Sequence, residues 1–207
     1  VKKLLTEAKE KKVSGVVIDL RNNGGGSLPE SMALSGLFIK EGPVVQVKTG
    51  QNRVDVKYDP EATVFYDGSV SVIVNRYSAS ASEIFAAALQ DYGRALILGE
   101  QTFGKGTVQQ HRGLSRIYDF YKNPVGFITY TIQKFYRING GSTQNKGVTP
   151  DILFPTPIVA DEFGEIVYDN TLPWDSIPKA SYKVVGDVSP SSFSVLTEKH
   201  NQRIAQE

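Results

Sequence analysis

The sequence predicts an α/β fold, because apolar strands and helices alternate through its first hundred residues. The runs Val13–Leu20, Val70–Val74 and Ala95–Leu98 are largely apolar, which is typical of strands buried on both faces. Helical patterns separate these runs, one from Ser27 to about Ile39 and one from Ile84 to Leu89. No internal repeat or low-complexity stretch interrupts this order.

A glycine turn joins the first predicted strand to the first of these helices. Residues 22–26, Asn-Asn-Gly-Gly-Gly, need backbone angles that most side chains disfavour. Ser27 and Glu30 then have the spacing of a capping box, which predicts that the helix begins at this serine.

The remaining elements follow from short-range patterns. Val44–Val47 and Val54–Tyr58 are predicted strands beside polar turns. Gly93 is the expected C′ residue of the alanine-rich helix that precedes it. The alternation in Phe127–Ile138 predicts a long strand. One face of this strand is expected to carry Ile128, Tyr130, Ile132, Tyr136 and Ile138.

The composition changes after Pro155, where Pro, Asp and Ser become more frequent. We therefore divide the chain into a core, residues 1–155, and a C-terminal extension, residues 156–207, that wraps the core and ends in a helix. The chain opens within a helical pattern, from Val1 to Ala8, and has no N-cap signal there. We expect it to be a fragment of a longer protein, with a processed mature protein as the alternative.

Composition excludes several functional classes. Lys and Arg number 23 against 22 Asp and Glu, so there is no basic surface for nucleic acid. The chain has no Cys, which excludes disulfides, thiolate chemistry and cysteine-ligated zinc. No apolar run approaches the roughly 18 residues of a membrane span, and membrane association is otherwise left open.

Ser80 is the first candidate for chemistry. It precedes a helix, and with Glu83 it has capping-box spacing, so a purely structural role as N-cap is one interpretation. The other is a nucleophile at a strand-to-helix turn, where the helix dipole favours negative charge. Serine is a poor nucleophile near neutral pH and needs an adjacent base.

Lys105 could be that base, because burial of a lysine disfavours its charged form. Gly104 and Gly106 flank it, and their backbone freedom would let the side chain turn inward; a solvated loop lysine is the alternative. The segment from Gly99 also matches the opening of a phosphate-binding loop. That match fails at Gly106, where the motif needs Ser or Thr.

The glycine turn has two interpretations. It is either a tight turn or part of an oxyanion hole, because glycine amides are unobstructed. Pro29 stands where a dinucleotide-binding turn needs its third glycine, which argues against that motif.

The histidines and Asp91 have simpler interpretations. A Ser-His-Asp triad would need His111 or His200, but no G-x-S-x-G surrounds any serine, so both are expected to be surface or core residues. No H-E-x-x-H motif is present, which argues against a zinc site. Asp91, near a predicted helix end, is expected to pair with Arg94.

Taken together, four ordered motifs resemble those of the tail-specific, or carboxy-terminal processing, proteases. They are Asp19-Leu20-Arg21-Asn22-Asn23-Gly24-Gly25-Gly26, Ser78-Ala79-Ser80-Ala81-Ser82-Glu83, Gly99-Glu100-x-Thr102-Phe103-Gly104-Lys105-Gly106 and Lys146-Gly147-Val148-Thr149-Pro150-Asp151. The extension also resembles that of the long bacterial periplasmic subgroup, through Leu172-Pro173-Trp174-Asp175.

The resemblance implies a serine endopeptidase in which Ser80 is the nucleophile and Lys105 the general base. Gln109 matches the residue that orients the lysine in several relatives. Glu83 and Asp91 match acidic positions that are important in some members. The implied oxyanion hole uses amides of the following residues: Ala81, and Gly25 or Gly26.

The same resemblance implies a ClpP/crotonase-like spiral of β-β-α units, a periplasmic location and no metal or cofactor. The implied partners are protein or peptide substrates with accessible C-termini, a PDZ domain of the intact chain and an adaptor protein. Two alternatives stay open. One is a non-catalytic binding module on the same fold, and the other is a crotonase-like acyl-CoA enzyme that uses the same paired amides.

Overall fold

The computed structural model describes residues 1–59, 61, 63–114, 126–157, 162–186, 188 and 190–206. The described residues form helices and strands in mixed order, and a 3₁₀ turn covers Glu165–Val167. In chain order the elements are α1 (Lys2–Glu10), β1 (Val16–Asp19), α2 (Leu28–Gly36), β2 (Pro43–Thr49), β3 (Val54–Tyr58), β4 (Val70–Val74), α3 (Ala81–Asp91), β5 (Leu96–Gly99), β6 (Thr107–Gly113), β7 (Phe127–Tyr136), β8 (Ile152–Leu153) and α4 (Pro190–Ile204).

The described strands form two four-stranded sheets, which confirms the predicted α/β class. One sheet is parallel, in the order β1-β4-β5-β8, and the other is antiparallel, in the order β3-β2-β7-β6. The carboxyl ends of parallel strands lie at the same edge of a sheet. The segments that follow β1, β4 and β5 therefore meet at one edge.

The core lies where α2 and α3 pack against the sheets. Helix α3 is buried from Ala81 to Leu89, as expected of a helix that is apolar around most of its circumference. The rings of Phe38 and Phe85 meet edge to face, with centroids 6.0 Å apart. Val72 and Ile97, at the centre of the parallel sheet, are fully buried.

Most predicted strands are present, and two have the predicted bounds, Val54–Tyr58 and Val70–Val74. The first strand is shorter than predicted, because the Val13 amide donates to the Ala8 carbonyl (3.1 Å) and so belongs to the end of α1. Ser27 caps α2 as predicted, its side chain accepting from the Glu30 amide (3.4 Å). Gly93 has the positive φ, +61°, that its predicted C′ position needs.

The predicted long strand is present as β7, Phe127–Tyr136, but its outer half is largely exposed. Ile128 and Ile132 are 45% and 39% exposed, whereas Tyr136 and Ile138 are fully buried. Strand β2 pairs with β7 only over Gln133–Tyr136, so the outer half of β7 pairs with β6 alone. Alternation along the sequence therefore does not correspond to one buried face.

The described part of the extension runs over the surface of the core. Asp175 accepts hydrogen bonds from Lys134 (2.5 Å) and Tyr136 (3.0 Å), and the Trp174 indole donates to the Ser142 carbonyl (2.9 Å). Further along, the Tyr182 ring meets that of Tyr92 at 5.3 Å. The division at residue 155 stays a prediction. No helix within the described residues is both long and apolar enough to span a membrane.

Candidate active site

Three loops converge at the carboxyl edge of the parallel sheet. The glycine turn follows β1, the loop of Ser80 follows β4, and the loop of Lys105 follows β5. The Ala79 amide donates to the Asn23 carbonyl (3.0 Å), and the Phe103 amide donates to the Ser78 carbonyl (3.0 Å). The serine loop is therefore bonded to both of the others.

Ser80 occupies a strained backbone position immediately before α3. Its φ is +56° and its ψ is −112°, a region that residues other than glycine rarely adopt. Such a conformation costs on the order of 1–3 kcal/mol and persists only where the surroundings enforce it. A sharp strand-to-helix turn of this kind is the arrangement that presents a nucleophilic serine above a sheet.

The carboxylate of Glu83 enforces that geometry. Its Oε2 accepts hydrogen bonds from the backbone amides of Ser80 (2.7 Å) and Lys105 (3.0 Å). Its Oε1 accepts from the Thr102 hydroxyl (2.6 Å) and the Gly104 amide (2.7 Å). One fully buried side chain thus joins the backbone of the serine loop to that of the lysine loop.

Burial raises the pKa of Glu83 to about 7, although its four hydrogen bonds act in the opposite direction. Because this pKa lies above the ordinary glutamate value of 4.5, the contribution of Glu83 to stability is greatest in acid and is lost as the pH rises towards 7. Only the ionised carboxylate, an acceptor without a donor, suits all four neighbours. The site geometry therefore favours the state that burial disfavours.

Lys105 is half-buried rather than buried, contrary to what its role as a base led us to expect. The reason is an open groove of about 600 Å³ beside its side chain. Its Nζ donates to Gln109 Oε1 (3.1 Å), so the structure brings these two predicted residues together. Among the described residues it makes no hydrogen bond to Ser80 Oγ.

Residues 142–147 support the lysine loop, a feature that the sequence did not reveal. The Gly106 amide donates to Gln144 Oε1 (2.9 Å), and the Thr143 hydroxyl donates to the Lys105 carbonyl (3.2 Å). A Cβ on Gly106 would lie 2.7 Å from the Gln144 nitrogen, so this glycine is required for the close approach of two backbones. Gln144 lies 38 residues after Gly106, and no local sequence pattern indicates that these two residues are in contact.

The glycine turn lies directly against the serine. A Cβ on Gly25, whose φ is +95°, would lie 2.8 Å from the Ala81 nitrogen and 2.9 Å from Ser80 Cβ. The Gly25 amide donates to Asn23 Oδ1 (3.0 Å), whereas a Cβ on Gly26 would meet nothing within 4 Å. The turn thus places Gly25 next to Ser80 and Ala81, and the oxyanion hole stays a prediction.

A largely apolar cavity of about 250 Å³ adjoins these amides. Its walls come from the glycine turn, from α2 and from the start of α3. The residues lining it include Leu20, Gly26, Ser31, Leu34, Ala81 and Phe85. Ala81 and Ser82, which follow Ser80 in the chain, are among the lining residues, so the cavity opens close to the serine turn.

Asp91 is not paired with Arg94, which corrects the sequence-based expectation. Its carboxylate accepts from Arg137 (2.6 and 3.1 Å) and from the Asn139 amide (2.8 Å), and Arg137 lies 46 residues away in the chain. Burial raises the pKa of Asp91, and the Arg137 guanidinium opposes this. Arg94 instead donates to carbonyl groups of the 38–68 region. Asp91 therefore stabilises the end of α3 and makes no hydrogen bond to Ser80 or Lys105.

Neither histidine contacts Ser80. His111 Nδ1 lies 2.9 Å from the Thr129 hydroxyl, and its ring stacks on Phe127 at 4.8 Å. His200 stacks on Phe154 at 5.0 Å. Within the described ranges, no cluster of three or more His, Asp or Glu side chains could hold a metal ion.

The sequence matches two protein-family models. Residues 1–154 match peptidase family S41, and residues 158–207 match the C-terminal domain of tail specific protease. The first match covers most of the chain, so the chain belongs to peptidase family S41.

Curated relatives agree with this assignment. The tail-specific protease of Haemophilus influenzae is 56% identical over 209 residues, which cover all of this chain and 30% of that protein. A probable CtpA-like serine protease of Staphylococcus epidermidis is 36% identical over 159 residues, or 76% of this chain and 31% of the relative. The chain thus spans about a third of the length of these relatives.

Solved structures share the fold. The photosystem II D1 C-terminal processing protease is 32% identical with a TM-score of 0.64, over 80% of this chain and 41% of that one. Mature CPAF complexed with lactacystin is 17% identical with a TM-score of 0.59, over 99% of this chain and 46% of that one. The second likeness concerns the fold alone.

Glu83→Gln should lower kcat/KM for peptide hydrolysis by at least about 100-fold. The substituted amide places an NH₂ group against two of the four donors, and a displacement of catalytic groups by about 1 Å has an effect of this size. Hydrolysis of an unstructured protein measures it. Glu198→Gln, on the exposed face of α4, is the matched control and should leave the rate unchanged. A Glu83→Gln rate within threefold of wild type would contradict this role.

Asp91→Asn should lower the free energy of unfolding by about 2–4 kcal/mol, because it leaves the largely buried Arg137 without its carboxylate partner. Urea unfolding measures the change. Asp55→Asn, which breaks the more exposed pair with Arg53, should cost less than about 1 kcal/mol. Equal costs for the two variants would show that the Asp91–Arg137 pair is no more than a surface contact.

Proposed function

We propose that this chain is the catalytic core of a serine endopeptidase in which Ser80 and Lys105 form a catalytic dyad. One observation carries the proposal, namely that the Glu83 carboxylate accepts hydrogen bonds from the backbone amides of both residues. The strained backbone of Ser80 and the adjacent glycine turn support it. Membership of peptidase family S41 supports the reaction class.

The reaction proceeds through an acyl-enzyme. Neutral Lys105 takes the proton of the Ser80 hydroxyl while Oγ attacks the peptide carbonyl carbon. The tetrahedral intermediate collapses, the C–N bond breaks, and Lys105 returns the proton to the leaving amine. Water then attacks the ester, again giving its proton to Lys105, and the carboxylic acid leaves as Ser80 regains its hydrogen.

Backbone amides stabilise the oxyanion. Ala81 is the first residue of α3, so the helix dipole adds to the effect of its amide. Gly26 is the better second donor in this conformation, because the Gly25 amide donates to Asn23 Oδ1. Gly25 becomes a donor only if that hydrogen bond breaks.

Lys105 must approach Ser80 for this chemistry. Gln109 Oε1 accepts from Nζ at 3.1 Å and limits the orientations of the lysine side chain. Gln109 itself cannot accept the serine proton near neutral pH.

The intact protein is proposed to select substrates by their C-terminal tails in the periplasm. The H. influenzae relative is named a tail-specific protease, and the sequence motifs support the same role here. A PDZ domain of the intact chain would bind the tail, with an adaptor protein as a further partner. A ClpP/crotonase-like spiral is the proposed description of the fold.

Ser80→Ala and Lys105→Ala should each lower kcat/KM by far more than tenfold in the intact protease, and the double variant should lose little more, because the two residues act as a unit. The measurement is hydrolysis of an unstructured protein, together with labelling of Ser80 by a serine-reactive phosphonate. Either single variant retaining over a tenth of the wild-type rate would refute the dyad. A wild-type protein that is unlabelled at Ser80 would instead support a non-catalytic binding module.

A further inference from the structure

The extension passes beside both loops that carry the dyad. The Phe163 ring lies edge to face with the rings of Tyr77 and Phe103, with centroids 4.8 and 6.1 Å away. The Arg76 guanidinium lies over the same ring, 5.4 Å from its centroid. Tyr77 precedes Ser80 by three residues and Phe103 precedes Lys105 by two, so one side chain of the extension touches both loops.

The backbone of the extension binds the lysine loop directly. The Glu165 amide donates to the Phe103 carbonyl (2.9 Å). Gly164 makes this approach possible, because its φ is +106° and a Cβ there would lie only 2.5 Å from the Phe103 oxygen. No other residue type fits that position without displacing one of the two segments.

A single peptide unit is therefore held from opposite sides. The peptide between Phe103 and Gly104 accepts from the Glu165 amide through its oxygen, while its N–H donates to Glu83 Oε1 (2.7 Å). Since a peptide unit is planar, turning it would weaken both hydrogen bonds together. The next residue in the chain is Lys105.

A second contact joins the extension to the support on the other side of Lys105. Glu165 Oε1 accepts from Gln144 Nε2 (3.5 Å), and Gln144 Oε1 accepts from the Gly106 amide (2.9 Å). The Asn145 side chain donates to the Leu172 carbonyl (3.2 Å). The extension thus contacts the loop of Lys105 and the loop that supports it.

We propose that Phe163, Gly164 and Glu165 of the C-terminal extension are positioning residues of the active site. They hold the Phe103–Gly104 peptide against Glu83 and so fix the direction in which Lys105 leaves the backbone. The inference rests on the proposed role of Lys105 as the base. It makes the extension a component of the catalytic site rather than a covering of the core.

One pair of variants tests the backbone contact of Glu165. Glu165→Pro removes the N–H that binds Phe103 and directs the proline ring at the Phe103 oxygen, so it separates the two segments at this point. The first position of a 3₁₀ turn is otherwise compatible with the φ of proline. Glu165→Ala loses the same carboxylate but keeps the N–H. In the intact protease we expect Glu165→Pro to have a kcat at least tenfold below that of Glu165→Ala, with KM within threefold and a displaced pH profile of kcat.

A second pair tests the close approach of Gly164. Gly164→Ala and Gly186→Ala both place a Cβ at a positive φ within the extension, but only Gly164 has an atom within 4 Å of that Cβ. We expect Gly164→Ala to lower kcat at least tenfold relative to Gly186→Ala, and to slow phosphonate labelling of Ser80 by the same factor. Melting temperatures of all four variants, taken in parallel, separate loss of folding from loss of positioning.

Equal kcat values within each pair, or a kcat loss that follows the melting temperature with an unchanged pH profile, would overturn the inference. Should Gly164→Ala fail to fold, the comparison of the two Glu165 variants decides alone. A wild type that is unlabelled at Ser80 would overturn the proposed function and this inference together. If the wild type is labelled at Ser80 but the two variants of each pair have equal kcat values, only this inference is overturned.

Discussion

The candidate site depends on one buried carboxylate. Glu83 accepts from the amides of Ser80, Gly104 and Lys105 and from the Thr102 hydroxyl, and these residues belong to two loops that follow different strands. These hydrogen bonds favour the ionised carboxylate, because protonation turns one of its acceptor oxygens into a donor beside groups that already donate to it. Burial opposes them more strongly, and the net result is a pKa of Glu83 raised to about 7.

The topology of the parallel sheet and the C-terminal extension also hold the loops of the candidate site in place. Parallel pairing of β1, β4 and β5 brings the glycine turn and the two loops to one edge of the sheet, and this placement depends on the backbone alone. Glu83 then sets the distance between the loops from within the core. Residues 142–147 and the extension contact the lysine loop from outside, through hydrogen bonds to Gly106, Lys105 and Phe103.

The sequence predicted what local patterns encode. The β-branched run Val70–Val74, the cap at Ser27 and the pairing of Ser80 with Glu83 all rest on residues close together in the chain. The other partners of Glu83 lie 19–22 residues further on, and no short pattern specifies them. The wrong partner predicted for Asp91 has the same cause, because Arg94 is close in the chain whereas the observed partner, Arg137, is 46 residues away. For β7, alternation could not show that its outer half lacks a second neighbouring strand.

The most direct test of the Glu83 account is the pH dependence of phosphonate labelling at Ser80. Labelling should fall as the pH drops through about 7, where Glu83 takes up a proton. The Thr102 hydroxyl lowers the pKa of Glu83, so Thr102→Val should move this fall to higher pH, while Thr102→Ser, which keeps the hydroxyl, should leave it in place. The same midpoint in Thr102→Val, Thr102→Ser and wild type would contradict a controlling role for Glu83.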